Sequence, residues 1–402
     1  MDNVLDFDVA VVGAGNTGLL AALGLSRLGL RTALCGKLTT EENVTSKSRT
    51  AALLAPTVDF LRDMCVWDGL SDRATEIQGI RIVDSMGHWP RAPEILFSAK
   101  ELELSALGWN IANADIDICL SARLVQEEKC HVLAGAFLKS IDERPDHLLL
   151  KLTTGQEVRA RLVIGADGRN SVCRQVAGVA VSESRLDQAA ITCVFEHSRD
   201  HRHISTEFHR RVGPFTTVPL DGCRSSLVWV EAIEFASEIA DQPDREAAIR
   251  LHIEEQTQGM LGAIQSIVGL QVFPLTYLKT SELGRNRIAL VGEAGHVFPP
   301  IGAQGLNLGF RDVAELIECV QASRSSGIAL GSEEMLAQYS KARKSDVEAR
   351  SMGVRLLNGM LTSSYWPGHM ARGAALHAFN HVPALKRQVM RIGMGGSTLQ
   401  RM

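Results

Sequence analysis

The chain has 402 residues, enough for two or three folding units and a core that can bury a ligand. Its composition, 45% hydrophobic and 22% charged, is that of a globular protein; a net charge of −4 and 5% aromatic residues argue against a nucleic-acid binder. No apolar run is long enough to span a bilayer, and the first residues carry Asp2 and Asp6 without a basic residue, unlike an export signal. These features predict a cytoplasmic protein. Its eight cysteines include no CxxC pair and read as small buried hydrophobes, not as disulfides or metal ligands.

In chain order, residues 8–12 (DVAVV) read as a buried strand. Leu19, Leu20, Leu23 and Leu28 then mark one face of a helix that Gly29 stops, and residues 31–35 (RTALC) form a second strand. Between strand and helix lies Gly13-Ala14-Gly15-Asn16-Thr17-Gly18, a GxGxxG turn. Alone that pattern is weak. Opening a βαβ unit, it predicts a dinucleotide site, because a tight turn against a diphosphate leaves no room for Cβ and the helix start offers unpaired N–H groups. An acidic residue would ordinarily end the second strand and hold the ribose. Here Gly36-Lys37 stand in its place, with Glu41 and Glu42 several residues later.

Further along, residues 147–152 and 157–161 around Thr154-Gly155 read as a hairpin. Residues 162–164 then form a buried strand ending in Gly165-Ala166-Asp167-Gly168. Residues 189–230 are strand-rich and 244–268 read as helical. Residues 287–291 form a late strand ending in Gly292-Glu293, and a helix is expected from near Gly305 through Val313, Leu316 and Ile317. No CxxC, metal-ligand spacing or nucleophile elbow accompanies them; the HxH at His201–His203 lacks a second ligand pair.

Three glycine-centred strand ends result: GAGNTG at 13–18, GADGRNSVCR at 165–174 and GEAGHVFPPIGAQGLNLGFRD at 292–312. In order and spacing they resemble the FAD-dependent aromatic monooxygenases typified by para-hydroxybenzoate hydroxylase, and within them the ubiquinone-biosynthesis hydroxylases. The likeness runs from about Asp8 to about Gly396. It implies an α/β fold, a Rossmann-like FAD-binding domain (1–80, 108–180 and 281–345) interrupted by a β-rich substrate domain (81–107 and 181–280), with a C-terminal helical segment (346–402).

The resemblance also implies roles for residues. Gly13, Gly15 and Gly18 would hold the FAD diphosphate, with Arg49 near the flavin or its phosphates, although a solvated loop charge is the other reading of Arg49. Asp167 and Gly168 match a motif that serves FAD and the nicotinamide donor; an Asx turn is the plainer reading. Glu293 stands where the family carries an Asp that contacts FAD, and Pro299 would lie beside the isoalloxazine. Gly302, Gly305, Leu306 and Asn307 would form the loop and helix start at the flavin's pyrimidine edge, with amides from Gln304 and Asn307. The family's histidine at the position of His296 is structural. Phe215 and Leu220, in a stretch like the family's pocket strand, are the substrate-pocket candidates, with ordinary core packing the alternative.

The activity so implied is hydroxylation of a polyprenylated phenol in ubiquinone biosynthesis. FAD would be bound non-covalently, NADH or NADPH would be the electron donor, and dioxygen would be activated as a flavin C4a-hydroperoxide. Such chemistry needs no side-chain nucleophile. Two alternatives stay open: a flavin monooxygenase of a soluble aromatic compound, and a catalytically weak quinone-binding subunit of a biosynthetic assembly. Residues 351–402 contain no Asp or Glu but carry Arg355, Arg372, Lys386, Arg387, Arg391 and Arg401. Met352, Leu356, Leu357, Met360 and Leu361 recur there at near-helical spacing before Trp366. That pattern predicts a basic amphipathic surface, for peripheral contact with the inner membrane or with a ubiquinone-biosynthesis complex.

Overall fold

The computed structural model describes residues 4–44, 49–86, 93–300, 302–362 and 382–394. Val4–Val12 is the centre of a parallel sheet, flanked by Thr32–Gly36 on one side and Glu157–Gly165 on the other. Cys130–Ala134 extends that sheet beyond Thr32–Gly36, and Ile288–Leu290 extends it beyond Glu157–Gly165. All these pairings are parallel, which requires both faces to be covered, and the strands are correspondingly apolar. Helices Asn16–Arg27 and Gln304–Ser325 supply that cover, and the sheet and helices share one continuous core. The hairpin forecast at 147–161 is present, but its second strand runs unbroken from Glu157 to Gly165.

A second sheet contains eight described strands in the order His296–Val297, Ile264–Thr280, Val181–His197, Arg224–Ala232, Pro214–Leu220, Ile204–His209, Gly79–Asp84 and Ile95–Ser98. Its two faces have different neighbours. Phe215 pairs with Trp229 and lies on the face with Phe208, Ile191 and Phe195, under helices Ile233–Asp241 and Arg245–Thr257. The opposite face carries Thr216, Val218, Leu220 and Ser226 by strand alternation. It is tied to a three-stranded sheet of Thr50–Leu54, Gly108–Ala112 and Thr75–Ile77. Thr50 Oγ1 donates to Ser226 Oγ at 3.0 Å, and Asn110 Nδ2 donates to Ser226 Oγ at 3.1 Å and to the Pro219 carbonyl at 2.9 Å.

One element differs from its forecast. The helix expected over 244–268 ends at Thr257, and Ile264 already begins a seventeen-residue strand. Gln258, Gly259 and Gly262 all adopt positive φ, which breaks the helix before Ile264, Ile267 and Val268 can join it. The cysteines also divide: Cys35, Cys173, Cys193 and Cys319 are buried, Cys119 and Cys130 are half-buried, and Cys65 and Cys223 are exposed. Burial pushes the Cys35 thiol up to about 12, as befits an inert core residue.

A candidate cofactor site where three strand ends meet

The first glycine motif is pressed against the second. Gly13 has φ +108°, and a Cβ there would run into the Ala166 carbonyl, so no other residue fits without displacing the strand end. Thr17 of the same turn lies between Gly292 and Gly309, which brings the third motif to the other side. Gly15 is exposed, and a Cβ there would meet nothing within 4 Å. It caps helix Asn16–Arg27 without any side-chain hydrogen bond, so the first-turn N–H groups face outward uncapped. Helix Gln304–Ser325 begins in the same way behind Ala303, whose φ is +54°. Two helix starts without side-chain caps, beside the carboxyl ends of parallel strands, are the arrangement that suits a dinucleotide.

The second strand end shows why no acid stands there. Gly36 has φ +155°, and a Cβ would come within 2.7 Å of the Ala14 Cβ. Glu41 is engaged elsewhere, since Arg73 Nη1 binds it at 2.9 Å while also holding Asp115 at 3.1 Å. Arg49 is exposed, with its carbonyl accepting from the Asn113 N–H.

Asp167 spends both carboxylate oxygens inside its own loop, accepting from Ser171 Oγ at 2.5 Å and from the Cys173 N–H at 3.1 Å. Gly168 follows in the left-handed region with open space beyond it. Buried Arg174 then joins the second motif to the third, donating to the Arg169 and Ala294 carbonyls at 2.8 Å each. Glu293 is exposed on the short turn Gly292–Ala294, and Pro299 is buried. Gly302 and Gly305 are exposed and Leu306 is half-buried. Asn307 is buried and fully occupied: its Oδ1 accepts from the Leu54 N–H, and its Nδ2 donates to the Ala52 and Ala303 carbonyls. Its side chain therefore anchors the helix start to strand Thr50–Leu54.

Beneath the third motif lies a network that sequence reading missed. Asp312 is completely buried and accepts from the Gly292 N–H at 2.9 Å, His296 Nε2 at 2.7 Å and Arg343 Nε at 2.8 Å. Arg343 and Arg311 both reach Asp346, at 2.8 and 3.2 Å. Burial works to raise the Asp312 carboxyl, but His296, Arg343 and the Gly292 N–H outweigh it and hold it below the ordinary carboxylate range. The one available signal was an Asp–Arg pair in the apolar register of Leu308, Val313 and Leu316. His296 is thus a structural ligand of Asp312.

The two pocket candidates fall on opposite faces of the second sheet. Leu220 is on the face that meets Thr50 and Asn110; Phe215 is on the helix-covered face, 5.5 Å from Trp229 between ring centroids. A cavity of about 390 Å³ opens beside Phe215, with Phe208, Arg210, Trp229 and His252 also in its wall. None of its lining residues belongs to a glycine motif.

Residues 6–352 match the FAD binding domain family. The ubiquinone hydroxylase UbiL of Rhodospirillum rubrum is 30% identical over 96% of this chain and 89% of its own length. The chain belongs to the FAD-binding family of ubiquinone hydroxylases. The 3-demethoxyubiquinol 3-hydroxylase of Escherichia coli is 28% identical over 96% of this chain and 98% of its own. Among solved structures, the p-nitrophenol 4-monooxygenase PnpA of Pseudomonas putida DLL-E4 shares the fold, with a TM-score of 0.79 at 19% identity over 98% of this chain and 99% of that one. As a member of that family the chain is an FAD-dependent aromatic-ring monooxygenase.

Proposed function

We propose that this monooxygenase hydroxylates the ring of a polyprenylated phenol in ubiquinone biosynthesis, using NADH or NADPH and dioxygen. The observation that carries the reading is the end-to-end likeness to curated ubiquinone hydroxylases. When bound, FAD supplies the electron transfer and oxygen activation that no side chain here could supply. The protein's part is to bind, orient and exclude water. The N–H groups at the start of helix Asn16–Arg27 would take the diphosphate, and Glu293 a hydroxyl of the ribityl chain. The backbone N–H groups of Gly305 and Leu306 would face the pyrimidine edge, with Pro299 beside the ring. Leu220, Val218 and Thr216 would roof the substrate from the second sheet, and that sheet would then be the core of the substrate domain.

In a host whose own hydroxylation gene is deleted, expression of this chain should restore ubiquinone. Continued accumulation of the unhydroxylated intermediate, despite a yellow FAD-loaded protein, would show a different substrate. A second expected result concerns Glu293. Glu293→Gln should weaken FAD binding about tenfold at unchanged melting temperature, the loss of one charge-assisted hydrogen bond, whereas Glu293→Asp should be tolerated. Fluorescence titration checks it; equal affinity in wild type and the Gln variant would reduce Glu293 to a turn residue.

The basic C-terminal stretch supports a peripheral membrane contact, where such a substrate resides. No described helix is long and apolar enough to cross a bilayer. Helix Pro383–Met394 seats Met390 against Ile95, Phe97 and Leu107. Lys386 turns inward too, binding Glu101 at 2.8 Å and the Leu96 carbonyl at 2.6 Å. Arg387 and Arg391 remain exposed beside Leu385 and Ile392. Met352 is also exposed, while the side chains of Arg355, Leu356, Leu357, Met360 and Leu361, and all of Trp366, Arg372 and Arg401, lie outside the described residues. Purified protein should bind anionic vesicles at low salt, with each engaged arginine contributing about 1 kcal/mol. Arg387→Gln with Arg391→Gln should weaken binding and Lys386→Gln should not; equal effects would place the contact elsewhere.

A further inference from the structure

We propose that the Asn16–Asp117 pair is part of the FAD site and that Asp117 must hold a proton for the cofactor to seat, so that the chain takes up a proton as it loads FAD. The inference rests on the reading that the first glycine motif receives the diphosphate. Asn16 is the first residue of its helix, directly after Gly15. Its side chain does not cap the helix. Instead Nδ2 donates to Asp117 Oδ1 at 2.6 Å and to the Asn113 carbonyl at 3.4 Å, joining the diphosphate turn to helix Asn113–Val125. Beside this contact the buried Oδ1 atoms of Asn16 and Asn113 have no hydrogen-bond partner.

A proton on Asp117 answers both features. An ionised Asp117 would set a negative charge one side chain away from a dianionic diphosphate, in a half-buried position where water screens it poorly. A neutral carboxyl removes that repulsion. It also carries an O–H donor, the kind of partner that Asn16 Oδ1 lacks, while its other oxygen still accepts from Asn16 Nδ2. Burial already pushes the Asp117 carboxyl up to about 7, against the lowering effect of the Asn16 hydrogen bond. The surrounding charges do not cancel the effect. On its own helix stand Asp115, Cys119 and Arg123, and Asp115 is paired with Arg73, which also holds Glu41. The segment before Arg73 adds Asp68 and Asp72. Helix Asn16–Arg27 contributes only Arg27, at its far end and bound to Glu127. Strand Gly108–Ala112 contributes none, and Cys130–Ala134 contributes Cys130 and His131.

The test uses the full chain stripped of flavin. FAD is titrated in by fluorescence quenching at about pH 6 and about pH 8.5, for wild type and Asp117→Asn; wild-type affinity should fall about tenfold or more over that span and the variant's should hold nearly constant. An equal fall in both proteins, or a wild-type affinity independent of pH, overturns the proposal alone. FAD binding absent at every pH overturns the assignment of the motif and the proposal with it. A second measurement needs no variant: mixing wild type with FAD in dilute buffer containing a pH indicator, at about pH 7.5, should consume a substantial fraction of a proton per FAD bound. No uptake overturns it.

Discussion

Gly15→Val should abolish FAD binding, lowering affinity by about a hundredfold or more, while leaving the apoprotein folded. Both halves of that expectation come from one position. A Cβ at Gly15 would meet no protein atom within 4 Å, so the branched side chain costs the fold little. It would instead occupy the space at the uncapped helix start where a diphosphate must approach the backbone. Gly13→Val is the contrasting variant. It forces a branched residue into φ +108° against the Ala166 carbonyl, so it should lower the melting temperature as well. Flavin content after purification and the apoprotein melting temperature check both. Full FAD occupancy in the Gly15 variant would mean that the diphosphate lies elsewhere.

The largest stability effect is expected at Asp312. Asp312→Ala should destabilise the protein by about 3–5 kcal/mol, because it leaves Arg343 charged and buried without its main partner. Asp312→Asn should cost less, since it can still accept from Gly292 or His296. Denaturant unfolding of the flavin-free chain measures both. The pH dependence follows the same charge. The Asp312 carboxyl is held below its ordinary value in the folded state, so the stability it contributes is fully present above the usual carboxylate range and is lost as pH falls through its folded value. Acid unfolding should therefore shift to lower apparent steepness in the Asn variant. An Ala variant as stable as wild type would show that the network contributes nothing net.

What could be read from sequence was what glycine spacing and strand periodicity carry. The three motifs lie at strand ends because a short apolar run followed by Gly-x-Gly or Gly-Ala-Asp-Gly allows little else, and those ends converge. Four things were hidden. Gly259 and Gly262 split a helix from a strand, yet Leu261, Ile264 and Ile267 keep a helical spacing across the break. Phe215 and Leu220 could not be assigned to faces, because polar and apolar residues do not alternate along residues 214–220, although in the structure Phe215, Thr217 and Pro219 are buried and Thr216, Val218 and Leu220 only half-buried. Asp312, Arg343 and Asp346 look like solvated helix charges, and only their position among buried leucines and valines marks them otherwise. Asn16 and Asp117 lie far apart in sequence, so their pairing is a property of the packed helices alone.

The parallel sheet has one further consequence, for the order of events in synthesis. Its central strand, Val4–Val12, pairs with Glu157–Gly165, which is made well after it, and that strand pairs in turn with the still later Ile288–Leu290. Helix Gln304–Ser325, which covers the core and brings the third motif to the first, comes later still. Pairings this distant in sequence form slowly, and the early strands carry exposed apolar surface until they do. The three motifs therefore cannot converge on a nascent chain that has not yet reached helix Gln304–Ser325. A cofactor held by all three motifs can seat only after helix Gln304–Ser325 has been made and packed.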